Sequence, residues 1–273
     1  MPEGPEIRRA ADRVGKAIAG RPATAVSFAF EHLKRWEPVL SGRRVERVDA
    51  WGKAMLTRFE GGLVVYSHNQ LYGRWYVRNA GSLPDTNRQL RFAVHNASKS
   101  ALLYSASEID VLEAEHLDAH PFLAKLGPDL LDRSLAEKDL RARLRSDAYR
   151  GRQLAAVYLD QGFLAGLGNY LRAEILFLAG VHPKARVKDL DAAGVRKLAK
   201  ATLEVGQRAY ATGGRTLDER TFARVKKQGG TRRELRFFVY GRKGRPCHRC
   251  GTRIRRIDAG GRHIFFCPTC QPR

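Results

Sequence analysis

Cysteine spacing constrains this chain more than any other feature. Its four cysteines, Cys247, Cys250, Cys267 and Cys270, form the pattern C-x2-C-x16-C-x2-C. Each C-x2-C pair brings two thiolates onto one tight turn, and two such turns supply the four sulfur ligands of a tetrahedral zinc site. Two disulfides are the alternative, but they belong to oxidising compartments, and the N-terminal MPEGPEIRRA lacks the apolar stretch of a secretory signal. A thioredoxin-type redox pair would need a βαβ frame, which the flanking sequence does not offer. Between the pairs, residues 252–257 and 263–266 read as strands joined at Asp258-Ala259-Gly260-Gly261, a hairpin turn signal. The expectation is a zinc β-hairpin, in which one structural Zn2+ holds a segment too small to build its own core. His248 and His263 are left with outward polar roles, because four thiolates complete the shell.

The charge around this pattern points to a partner. The 273 residues carry 50 Lys+Arg against 28 Asp+Glu, a formal net charge of +22. Residues 214–273 hold 17 Lys+Arg and 4 Asp+Glu, a local excess of +13, which is more than half of the total. Such a balance favours a polyanion, nucleic acid first, because cations release the counterions condensed on phosphates. No apolar run approaches the ~20 residues of a bilayer span. The chain is therefore expected to be cytoplasmic and nucleoid-associated, neither secreted nor membrane-bound. Zinc hairpin and charge together argue for nucleic-acid binding and say nothing about chemistry.

Upstream, two further patterns succeed one another. Residues 6–19 place Ile7, Ala10, Ala11, Val14, Ala17 and Ile18 on one helical stripe, opened by Gly4-Pro5 and closed by Gly20-Arg21-Pro22. Short segments rich in Val, Phe and Tyr follow at 23–30, 43–51, 54–60, 63–68, 74–79, 89–96 and 100–105, separated by Gly, Pro, Asn and Asp. That spacing predicts an antiparallel sandwich or barrel. After about residue 115 the stretches 135–144, 153–159, 170–178 and 194–210 read as amphipathic helices. The fold class is accordingly α+β: a β-sandwich with a flanking helix over 1–119, a linker over 120–134, a helical domain over 135–230 and the zinc hairpin over 231–273.

The N-terminus carries the candidate chemistry. Removal of the initiator Met would leave Pro2 with a free secondary amine. An α-amino group titrates near ~7.7–8.0 and is substantially neutral at physiological pH, and a helix start beside it disfavours the ammonium further. Attack of such an amine on an aldehyde-like carbon forms an iminium ion, an electron sink for elimination. Glu3 beside it offers a general acid or base. The bland alternative is a start-of-chain proline and a Glu3-Gly4-Pro5-Glu6 helix cap.

MPEGPEIRRA, Gly52-Lys53-Ala54, Ser67-His68-Asn69-Gln70-Leu71-Tyr72-Gly73, Leu164-Ala165-Gly166-Leu167-Gly168-Asn169-Tyr170 and the zinc pattern occur in this order along nearly the whole chain. Taken together, they resemble the formamidopyrimidine-DNA glycosylase/endonuclease VIII family. The resemblance implies a bifunctional DNA glycosylase/AP lyase of base excision repair. Pro2 would attack C1′ of the damaged nucleotide, Glu3 would protonate the sugar ring oxygen, and Lys53 would contact phosphate and assist β-elimination. Gln70, Leu71 and Tyr72 would form the loop that fills the void left by the flipped nucleotide, a task for which an apolar wedge, a stacking ring and an amide are suited. Residues 153–179 resemble the family's helix–two-turns–helix, with Asn169 capping the second helix and gripping backbone phosphate. Arg262 would enter the lesion site and assist δ-elimination. Lys125 stands where an arginine is common in the endonuclease VIII branch, which keeps the charge and loses the planar fork.

The PEGPE start and the Gln-Leu-Tyr loop resemble that branch most, implying oxidised pyrimidines as substrates, with oxidised purines as the alternative preference. A non-catalytic zinc-ribbon DNA-binding protein is the alternative of a different class. The implied partner is damaged double-stranded DNA, bound by a monomer, with no catalytic metal or organic cofactor.

Overall fold

The computed structural model describes residues 2–273 and opens on α1 (Gly4–Ile18), where Pro5 occupies the first turn and its missing N–H costs nothing. Ile7, Ala11, Val14 and Ile18 line the buried face of that helix, as its stripe requires. It is followed by β1 (Arg21–Pro22), β2 (Ala25–Phe28), the single turns α2 (Glu31–Lys34) and α3 (Glu37–Leu40), then β3 (Arg44–Trp51), β4 (Ala54–Phe59) and β5 (Leu63–His68). The series continues through β6 (Arg74–Asn79), β7 (Leu90–His95), β8 (Lys99–Tyr104) and β9 (Glu108–Glu113).

These strands pair antiparallel in two sheets, β1-β3-β4-β5-β9 and β2-β7-β8-β6. The apolar residues that alternate along them share one core with α1, in which Phe28 stacks on Phe92 at 4.8 Å and Trp75 meets Phe92 edge-on. Strand β9 was not anticipated. Its sequence, EIDVLE, holds three acids and only a weak alternation, and it is made a strand by pairing along its whole length with β5. Tertiary pairing decides such marginal cases.

By contacts, the first unit runs to Lys125 and the second covers Leu126–Arg273. The boundary falls inside the stretch read as a linker, so residues 120–125 belong to the first unit and 126–134 to the second. The second unit contains α4 (Glu137–Arg145), α5 (Asp147–Arg150), α6 (Leu154–Val157), α7 (Asn169–Ala179), α8 (Ala192–Thr212), α9 (Glu219–Lys227), β10 (Arg255–Ala259) and β11 (Arg262–Phe266). The zinc hairpin is not a separate body. Cys247, Ile254, Ile264 and Cys267 lie in the same core as Leu171, Ile175, Leu198 and Val205 of the helices. A short hairpin gains apolar burial by packing on a helix that it could not reach alone.

Glu174 of α7 explains how the chain is brought to that position. Its carboxylate is fully buried and accepts the N–H groups of Phe238 (2.7 Å), Val239 (2.8 Å) and Tyr240 (2.8 Å), and the Thr216 hydroxyl donates to it as well. Burial pushes its pKa up while these four donors pull it down. Helix α9 lies in a stretch the periodicity did not resolve. Phe222 and Val225 are its only large apolar residues, and Asp218 caps it by accepting the Thr221 N–H at 2.7 Å. Among the described residues, no helix is long and apolar enough to cross a membrane.

Candidate active site and nucleic-acid interface

In the first unit, a cleft of about 490 Å³ is lined by Pro2, Leu71, Tyr72 and Trp75, together with the cations Arg13, Arg74, Arg78 and Arg88. Pro2 directly precedes α1, and Glu3, only 3% exposed, sits at that helix's N-cap. Glu6 supplies the reciprocal arm of the cap, its Oε2 accepting the Glu3 N–H at 3.1 Å. Helix start and candidate chemistry are thus the same residues.

Leu71 and Tyr72 are 61% and 68% exposed, a large apolar surface to leave in water. Loop geometry forces this. The Gly73 N–H closes on the Asn69 carbonyl at 2.7 Å, and a Cβ at Gly73 would lie 2.6 Å from both the Cα and the carbonyl oxygen of Asn69. Only glycine fits there. The Arg88 guanidinium donates to the Tyr72 carbonyl at 2.5 Å. Gln70 lies in the left-handed region at φ +46°, its side chain engaged by Glu108 (2.5 Å) and by the Ser107 hydroxyl (2.6 Å). The structure therefore commits the Gln70 amide to the protein.

Lys53 sits at a hairpin tip. Trp51 pairs with Ala54, so Gly52 and Lys53 form a two-residue loop, with Gly52 at φ +60° taking the first central position. Neither Lys53 nor Gln70 is among the residues lining the Pro2 cleft. The charge of Lys53 is felt by His68, whose pKa burial lowers first, Glu108 opposing and Lys53 adding to the shift. Lys125 is exposed and ends a 3-10 turn at Leu123–Lys125.

In the second unit, the N-cap of α7 is Gly168, not Asn169; Asn169 is the first helical residue. Glycine there leaves no capping side chain, and the Asn169 Oδ1 instead accepts from Arg172 Nε at 3.0 Å. Arg172 is fully buried and reaches four backbone carbonyls: Ala155 (2.6 Å), Ala259 (3.0 Å), Arg262 (3.3 Å) and His263 (3.3 Å). One guanidinium thus ties together the start of α7, the turn at α6 and both strands of the zinc hairpin. Sequence reasoning missed it, although a signal existed: Arg172 and Glu174 are two charges inside the largely apolar run NYLRAEILFLA.

The hairpin turn is tighter than expected. Ala259 pairs with Arg262, leaving Gly260 and Gly261 as a two-residue loop with φ of +62° and +72°, the double-positive pattern of a type I′ turn. Gly260 also rests on α6, since a Cβ there would meet the Ala155 carbonyl oxygen and the Ala156 Cα at 3.0 Å. The exposed Arg262 side chain is consequently held at the tip of a braced hairpin.

All four cysteine sulfurs lie within 4.8 Å of one another. Cys250 is 3.4 Å from Cys267 and 3.5 Å from Cys270, and Cys247 is 4.0 Å from Cys270. A disulfide needs about 2.05 Å, whereas tetrahedral Zn–S bonds of about 2.3 Å put sulfurs about 3.8 Å apart. N–H groups of Arg249 and Cys270 point at Cys247 Sγ (3.4 Å) and Cys267 Sγ (3.5 Å), as anionic thiolates require. The donor set fits zinc.

Comparisons with known proteins agree with this organisation. The Formamidopyrimidine-DNA glycosylase N-terminal domain model matches residues 1–106, the H2TH domain model residues 126–221, and the model of a zinc finger found in FPG and IleRS residues 244–273. Over 271 residues, 99% of this chain and 100% of the relative, identity is 47% to Endonuclease 8 of Salmonella enteritidis. It is 48% to Endonuclease 8 of Escherichia coli, with the same coverage. The structure of Lactococcus lactis Fpg with a DNA containing N7-benzyl-Fapy-dG superposes at a TM-score of 0.81 and 22% identity over 100% of both chains. The same protein with a DNA containing an oxidised pyrimidine gives 0.80 and 21%, again over 100% of both.

Proposed function

This chain belongs to the formamidopyrimidine-DNA glycosylase/endonuclease VIII family, and from that membership we propose the reaction that it catalyses and the residues that carry it. It is a bifunctional DNA glycosylase and AP lyase of base excision repair, and its substrates are oxidised pyrimidines in duplex DNA. Near-half identity to Endonuclease 8 across the full length favours pyrimidines over the purine preference. The observation that carries the site is the cleft in which Pro2 shares a cationic wall with the exposed Leu71 and Tyr72. A nucleophile and a wedge in one cavity suit an enzyme that must empty a base stack and attack the sugar it exposes.

The freed Pro2 nitrogen attacks C1′, the glycosidic bond breaks, and the base leaves with its bonding pair. The nitrogen then loses its proton, and the C1′–O4′ bond opens as Glu3 protonates O4′, which leaves an iminium ion. That cation stabilises loss of a C2′ proton, and elimination of the 3′ phosphate follows. A second elimination releases the 5′ phosphate and leaves a one-nucleotide gap. Lys53 holds phosphate and moves protons in the first elimination, and Arg262 serves the second. Arg13, Arg74, Arg78 and Arg88 add phosphate contacts that the sequence reading did not assign. Gln70 contributes to the void-filling loop through its backbone position, while Asn169 and Lys125 contact the DNA backbone. Cys247, Cys250, Cys267 and Cys270 hold one Zn2+, whose role is to fix the hairpin.

Borohydride trapping tests the reading. Protein with its authentic N-terminus, incubated with an abasic or thymine-glycol duplex, should yield a covalent protein–DNA adduct. A retained Met or an N-terminal tag should abolish it. Absence of an adduct from the authentic protein would favour the non-catalytic zinc-ribbon alternative.

A further inference from the structure

The void-filling loop is held by a carboxylate outside it. Glu108 opens β9 directly opposite His68, the last residue of β5. Its Oε1 accepts from the Gln70 side-chain amide at 2.5 Å, and its Oε2 lies 3.7 Å from His68 Nδ1. The neighbouring Ser107 hydroxyl donates to Gln70 Oε1 at 2.6 Å, and the Gln70 backbone N–H donates to His68 Nδ1 at 3.1 Å. Gln70 is therefore gripped through both side-chain atoms and its backbone, at a left-handed φ of +46° that a side-chain-bearing residue does not adopt unaided. Immediately after it the chain turns Leu71 and Tyr72 outward.

We propose that Glu108 is the positioning residue of the wedge: it fixes Gln70 in the left-handed conformation, so that Leu71 and Tyr72 project before DNA arrives. This inference rests on reading residues 69–73 as the void-filling loop. A charged acceptor holds a neutral amide more firmly than a neutral acceptor would. Fixing the loop in advance also removes an ordering cost from binding. Electrostatics supplies the opposite expectation. Glu108 is half-exposed beside a loop meant for a polyanion, so on charge alone its removal should tighten binding to any duplex. Weakened lesion binding therefore points to the loop and not to the lost charge.

The test uses the zinc-loaded full chain as wild type, Glu108→Ala, Glu108→Gln, Gln70→Ala and the Glu108→Ala/Gln70→Ala double variant. In the DNA-free proteins, chymotrypsin cleavage after Leu71 or Tyr72 should accelerate on the order of tenfold in Glu108→Ala and Gln70→Ala. It should rise less in Glu108→Gln, whose neutral amide oxygen still accepts from Gln70 but more weakly. Preference for a tetrahydrofuran-containing duplex over an undamaged one should fall by a similar factor in Glu108→Ala, whichever base lies opposite, and no further in the double variant. Unchanged cleavage overturns the proposal, as does a Glu108→Ala protein that binds both duplexes more tightly, or losses that multiply in the double variant. A wild type that cleaves slowly yet does not distinguish the two duplexes overturns the reading of the loop, not its anchoring.

Discussion

Replacement of Arg172 by Met should separate the hairpin from the rest of the second unit while leaving the apolar part of the side chain in place. Arg172 donates to four backbone carbonyls and to Asn169, and it is fully buried. A hydrogen bond to a charged group is worth roughly 1.5–3 kcal/mol, but bonds made by one side chain are not independent. Arg262 and His263 are exposed residues, and the bonds to their carbonyls are the longest of the four at 3.3 Å. Counting only Ala155 and Ala259, the loss is about 3–5 kcal/mol, and a unit of this size loses roughly 2–4 °C of Tm per kcal/mol. Calorimetry of the zinc-loaded protein should therefore show the transition of the second unit falling by roughly 10 °C. In single-turnover excision, the concentration of duplex needed for half-maximal rate should rise on the order of tenfold, because Asn169 and the hairpin are no longer held together. Trapping at saturating abasic duplex should persist, since Pro2 lies in the other unit. Arg172→Lys should rescue little, because one ammonium cannot span five acceptors. A Met variant within about 1 kcal/mol of wild type, with unchanged DNA affinity, would refute the brace.

Three other outcomes follow from the geometry. Gly73→Ala drives a Cβ into the Asn69 backbone; it should cost about 2 kcal/mol or more by thermal unfolding and weaken lesion binding, whereas Gly81→Ala, with φ +78° and open space, should cost only its backbone strain. Cys267→Ser breaks the four-sulfur set at a fully buried position and should abolish stoichiometric zinc by metal analysis and lower Tm, and chelator should act likewise on wild type. For His68, the folded-state pKa is below 6.5, so the unfolded chain takes up the proton first and the contribution of His68 is lost as pH falls from about 6.5 through the folded pKa. The Tm advantage of wild type over His68→Gln should therefore shrink on acidification through that window; a constant or growing advantage would contradict the Gln70 N–H donating to a neutral ring.

Much of this molecule could be read directly from local chemistry. The zinc pattern, the stripe on α1 and most strands of the sandwich were legible because each depends on spacing, on period 3.6 or period 2, or on glycine at a turn. β9 was not, since its alternation is weak and it depends on pairing with β5; α9 was not, since it is short and offers only Phe222 and Val225 as large apolar residues, although its Asp218 cap is local. The same division runs through the site. Pro2, Glu3, Lys53, Leu71, Asn169, Arg262 and the cysteines stand in contiguous motifs, so residue type and order sufficed to nominate them. Arg172, Glu174 and Glu108 act on residues tens of positions away, from Gln70 to the Arg262 backbone. A hydrogen bond joining distant segments leaves no periodic trace in the chain. Sequence therefore nominated the groups proposed to do the chemistry, and only the tertiary structure decided what holds them in place.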